Sequence, residues 1–118
     1  MTHTEGKFEK QDYIRKVLDA FCRMPGTTGV VRRNDRLLAR DLYGRGVPLI
    51  VVENALVLAA ARRLIRSPQA PALQPVRSLF YILPVIDEVL KARVSQDYYR
   101  YLQAKIEQAL KTKTSLSL

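Results

Sequence analysis

One cysteine and one histidine are all the chain holds of the residue types that build most metal and nucleophile sites. Cys22 alone cannot form an internal disulfide, and His3 sits in a polar N-terminal stretch with no second histidine to work with. These shortages exclude most zinc sites, every Ser-His-Asp or Cys-His arrangement, and histidine-based metal nucleases. No N-terminal stretch has the charged-then-apolar order of a signal peptide, so a bacterial cytoplasmic setting is expected. Long apolar runs are also missing. The longest, residues 47–61 (VPLIVVENALVLAAA), carries Glu53 and Asn54 at its centre and falls short of the about 20 apolar residues a spanning helix needs. It is expected as a buried core helix, with no membrane among the partners. Gly26, Gly29, Gly44 and Gly46 match no phosphate loop or dinucleotide fingerprint. Strand patterns are absent apart from the pair Val30-Val31. Asp87 and Glu88 are adjacent, so on a helix they point in different directions and make no paired-carboxylate site. A nucleophilic tyrosine among Tyr98, Tyr99 and Tyr101 would lack the histidine or carboxylate partners it needs. No catalytic residue, metal or cofactor is expected.

What remains is a chain of 118 residues, 47% hydrophobic and 26% charged, the profile of one compact globular domain. Apolar spacings of three and four mark an amphipathic helix over 7–23, with Tyr13, Ile14, Val17, Leu18 and Phe21 inward, stopped by Met24-Pro25-Gly26. Cys22 lies beside that stripe as a small packing residue. A second helix is expected with Asn34 as N-cap, Asp35 in its first turn and Leu38, Leu42 and Tyr43 inward, ending at Gly44-Arg45-Gly46. Pro48 suits the first position of a third helix running to about Arg66, apolar on nearly every side and therefore the axis of the fold. Three prolines make 67–77 a stiff loop. Ser78 is placed to cap a fourth helix, inward at Leu79, Tyr81, Ile82, Val85, Ile86, Val89 and Leu90, which Pro84 must kink or split. Ser95 opens a fifth to about Leu110, with Tyr98, Leu102, Ile106, Ala109 and Leu110 inward and Tyr99 outward. The reading is an all-α bundle of about five helices, one domain over 7–111, with disordered polar tails at 1–6 and 112–118.

Charge is unevenly spread. The formal net charge is +9, and between Arg23 and Arg77 ten arginines face only Asp35, Asp41 and Glu53. Guanidinium forms bidentate bonds to phosphate and releases counterions from nucleic acid, so this window is the electrostatic footprint of a DNA or RNA binder. Candidate contacts are Arg32, Arg33, Arg36, Arg40 and Arg45, with Arg62, Arg63 and Arg66 as a second basic edge; DNA is favoured. The second and third helices have a helix-turn-helix outline. A recognition helix, however, needs polar side chains near its start, where this chain has Pro48 to Val52. Backbone contact without base reading is therefore expected. The alternative is a protein-interaction module, a homodimer or small subunit whose arginines meet an acidic partner, motivated by the apolar excess on the third and fourth helices.

The stretch from Asn34 to Lys91 (NDRLLARDLYGRGVPLIVVENALVLAAARR, the proline-rich loop, then RSLFYILPVIDEVLK) is similar to short bacterial proteins that accompany mobile elements and replication genes. It also distantly resembles the helical C-terminal domain of DnaD-type replication-initiation proteins. Gly46, Ala55 and the Ser78-to-Tyr81 segment occupy the matching places; Pro84 and the proline-rich loop depart from the pattern. The resemblance covers about half the chain and implies a non-catalytic, DNA-associated or replisome-organising domain.

Overall fold

The computed structural model describes the backbone of residues 2–67 and 69–117 and the side chains of 9–67 and 69–111. Five α-helices follow in order: α1 Thr2–Arg23, α2 Arg33–Gly44, α3 Leu49–Leu64, α4 Leu83–Lys91 and α5 Gln96–Ser117, with a 3-10 turn at Leu79–Ile82 leading into α4. Among the described residues there is no strand; Val30-Val31 lies in an irregular loop. An isolated parallel bridge instead joins Thr27 to Val76, with Val76 N–H to Gly26 O at 2.7 Å and Thr28 N–H to Val76 O at 3.1 Å. It pins the chain after the proline-rich loop to the α1–α2 connection. Helical backbone also runs through 2–6 and 112–117.

α3 packs against α1, α4, α5 and the 3-10 turn, and α2 packs against α1 and that turn. The axis reading of α3 is thereby met. Val52, Ala55, Leu56, Ala59, Ala60 and Ala61 are all buried. It joins a core of Val17 and Phe21 from α1, Leu38 and Leu42 from α2, and Leu79, Ile82 and Ile86. Short alanines let neighbours approach α3 closely. The buried amide of Asn54 exchanges two hydrogen bonds with Gln96 at 3.0 and 3.1 Å, tying α3 to the start of α5. Tyr13 Oη donates to Val47 O at 2.8 Å, anchoring the α2–α3 turn to α1.

Several boundaries shift from the pattern-based reading. Pro48 is the N-cap rather than the first residue of α3, with extended φ/ψ, and its carbonyl accepts from Val51 N–H at 3.0 Å. α3 stops at Leu64 because Ile65 leaves the helical region. Pro84 splits the fourth element as the 3-10 turn plus α4 and sits in the first turn of α4, where its missing N–H costs no intrahelical bond. Ser78 does cap this segment, its Oγ accepting from Phe80 N–H at 3.1 Å. Tyr81 and Leu90 are exposed instead of inward, since the 3-10 geometry and the restart at Leu83 break one continuous period into two. On α5 the inward tyrosine is Tyr99; Tyr98 and Leu110 face outward. Gly46 (φ +75°) closes α2, donating to Tyr43 O at 3.0 Å, in a conformation that side chains with Cβ rarely adopt.

Candidate functional site

α2 begins at Arg33 because of Asp35, not Asn34. One Asp35 carboxylate oxygen accepts the N–H of Arg32, the N-cap residue, at 2.9 Å. The other accepts Leu79 N–H at 2.9 Å and the Ser78 hydroxyl at 3.2 Å. A single carboxylate thus closes the first turn of α2 and fastens it to the start of the 3-10 turn. Only 1% of Asp35 is exposed, so its charge is masked from outside by three donors.

With Asp35, Leu38, Ala39 and Leu42 inward, the opposite side of α2 presents Arg33, Arg36 and Arg40 within about 60° of helical arc. Arg32 precedes them on the incoming chain, and all four are exposed. Among the described residues no carboxylate pairs with any of them. Across a groove between α1 and α2, lined by Leu18, Asp19, Val31 and Arg36, stands Arg15, itself paired with Asp12. Arg77, also exposed, lies one residue from Ser78 and so close to the start of α2. Neither Arg15 nor Arg77 was singled out from sequence, because only the folded chain brings them beside α2.

The other candidates are differently employed. Arg45 pairs with Asp41 at 2.8 Å one turn back. Arg62 reaches both carboxylate oxygens of Glu88, drawing α3 to α4, which pushes the guanidinium up and holds Glu88 below the usual carboxylate range. Arg63 donates to Gln74 O at 2.7 Å and lies over the Tyr81 ring at 5.7 Å. Its guanidinium passes so near Gly26 (φ +91°) that a Cβ there would meet Nε at 2.9 Å. Arg66 donates to Pro71 O at 2.9 Å. The structure therefore gathers Arg32, Arg33, Arg36 and Arg40 as cations with no carboxylate partner among the described residues, and places Arg62, Arg63 and Arg66 as ties of the loop and of α4.

The remaining surface offers little for chemistry. Among the described residues no group of three His, Cys, Asp or Glu is placed to hold a metal ion, and no helix is long and apolar enough to cross a membrane. The Cys22 thiol is half-buried and pushed up by that burial, with Asp19 and Asp35 adding to it, which keeps it from the reactive thiolate form at neutral pH. No protein-family model, curated protein or solved structure gives a significant match to the chain. The functional reading therefore rests on the residues alone. Cations near a helix N-terminus oppose the helix dipole, by a few tenths of a kcal/mol each at exposed positions. Arg32, Arg33 and Arg36 crowd that end of α2, and its last turn has no basic residue. Helix stability does not account for this distribution.

Proposed function

We propose that the protein is a non-catalytic nucleic-acid-binding domain that grips backbone phosphate, DNA foremost, through Arg32, Arg33, Arg36 and Arg40, as an accessory factor of replication or of a mobile element. The observation that carries this reading is the exposed arginine face of α2, which no carboxylate among the described residues neutralises. Placing cations against the helix dipole is a local rule broken, as expected where a surface serves a ligand rather than the fold. The contacts position a duplex without reading bases, since the start of α3, Pro48 to Val52, carries only apolar side chains, the exposed Ile50 among them. Gel-shift titration tests it: with about four phosphate contacts, log affinity for duplex DNA should fall against log salt with a slope near −3.6. Undetectable binding at low salt, or unchanged affinity after Arg32→Ala/Arg33→Ala/Arg36→Ala, refutes the reading.

One observation favours an acidic protein partner instead. Leu37, 45% exposed, sits amid the arginines, as suits an amphipathic acidic helix. Leu37→Ala separates the two: it leaves DNA affinity unaltered and weakens a protein contact built on that side chain.

A further inference from the structure

The three tyrosines of α5 are arranged oppositely to the pattern their spacing suggested. Tyr99 is buried, 4% exposed, while Tyr98 and Tyr101 are 45% and 56% exposed. Three residues apart, the exposed pair lies within about 60° of arc on one side of the helix. The Tyr98 ring is braced edge-on by Tyr99, centroids 5.7 Å apart at 70°, so it is held from beneath. Lys105 stands over the Tyr101 ring at 5.6 Å and shares a shallow groove with it and with Ile65, itself 56% exposed at the end of α3. Elsewhere Tyr13 packs edge-on with Tyr43 at 5.3 Å, and Tyr81, also half exposed, stands alone beneath Arg63 with no second exposed tyrosine one turn away.

We infer that the Tyr98–Tyr101–Lys105 face of α5 is a stacking platform for single-stranded nucleic acid. The inference rests on the nucleic-acid reading proposed above and assigns this second face a different form of the polymer. Side chains three apart on a helix have Cβ atoms about 5–6 Å apart, wider than the 3.4 Å step of a base-paired strand. Each ring therefore takes a base drawn out of its stack, which a single strand supplies and a duplex withholds. Lys105 provides a cation for the phosphates between those bases, the combination of aromatics and charge that sequence-tolerant single-strand binders use.

The test uses the full chain at low salt with end-labelled oligo-dT and oligo-U of about 15 nucleotides and a duplex of similar length, read by fluorescence anisotropy. Intrinsic tyrosine emission is a second readout, because the chain contains no tryptophan. Tyr98→Ala/Tyr101→Ala should weaken single-strand binding about 30-fold or more and abolish the quenching of tyrosine emission, with duplex affinity held within about 2-fold. Tyr98→Phe/Tyr101→Phe keeps the π faces and should bind within about 3-fold of wild type. The oligo-dT and oligo-U arms tell DNA from RNA as the natural strand. Unchanged single-strand affinity in the alanine variant overturns the inference while duplex binding through α2 stands. Parallel loss of duplex and single-strand binding overturns it too, as does a drop from dimer to monomer on alanine substitution, which makes the face a contact between copies. If neither polymer binds the wild type, both readings fall.

Discussion

Asp35 is a buried anion in a strongly basic chain, yet its bonds are to neutral groups: two backbone N–H groups and the Ser78 hydroxyl. Alanine there would strand the Leu79 N–H, 0% exposed, and release the first turn of α2. Asp35→Ala should therefore cost about 2–4 kcal/mol, visible as a drop of roughly 10 °C in Tm by circular dichroism. Ser78→Ala, which removes one weaker donor, should cost about 1 kcal/mol or less. Tyr13 gives a pH signature. Burial pushes its hydroxyl up to about 12. The folded state thus holds the proton more tightly than the unfolded chain, whose tyrosines titrate near 10. Its contribution is complete below pH 10 and is lost as pH rises through about 12. Tyr99 is also raised by burial and acts in the same direction. Thermal melts across that alkaline window should show stability declining, and Tyr13→Phe should flatten the decline. At neutral pH the same variant should lose about 1 kcal/mol with the Val47 hydrogen bond.

At the scale of elements, helical periodicity located all five helices, and it failed where two registers fit the same residues. Leu102 and Ile106 are buried and four apart. Tyr98 extends that series by four and Tyr99 by three, both permitted by a 3.6-residue turn. The choice belongs to α3 and its Asn54–Gln96 amide pair, 42 residues apart in sequence, which fixes the rotation of α5. Asn34 was similarly a sound cap by residue type, and the carboxylate of Asp35 prevailed by reaching back to Arg32. The alanines of α3 show the reverse: small residues in a buried helix were legible as core, and the closeness of their neighbours supplies the energetics. Ala55 is 0% exposed, so Ala55→Leu adds volume where none is free and should cost about 1–3 kcal/mol through overpacking. A urea titration in which the midpoint falls while the slope stays constant would show that this loss comes from the native packing.

Counting charge along the chain treats residues 23–77 as one surface, and the whole molecule divides that window in two. Arg33, Arg36 and Arg40 of α2 have no carboxylate partner among the described residues, whereas Arg63 and Arg66 hold loop carbonyls at Gln74 and Pro71, five to eleven residues away. No spacing rule announces a guanidinium–carbonyl tie, because the acceptor is backbone and any residue supplies one. The two groups should respond oppositely to the same substitution. Removing Arg33 and Arg36 relieves repulsion with the α2 dipole, so Tm should hold or rise slightly, by about 0.5 kcal/mol of stability. The same variant should reduce the magnitude of the salt slope for duplex DNA by about 1.8, two phosphate contacts fewer. Arg63→Ala/Arg66→Ala should do the converse: it removes the Gln74 and Pro71 ties and the contact with Tyr81, costing about 1–2 kcal/mol while leaving the salt slope unchanged. Paired melts and salt titrations on the two variants decide the assignment. A stability loss without a change of slope in the α2 variant would place the phosphate-gripping surface elsewhere on the molecule.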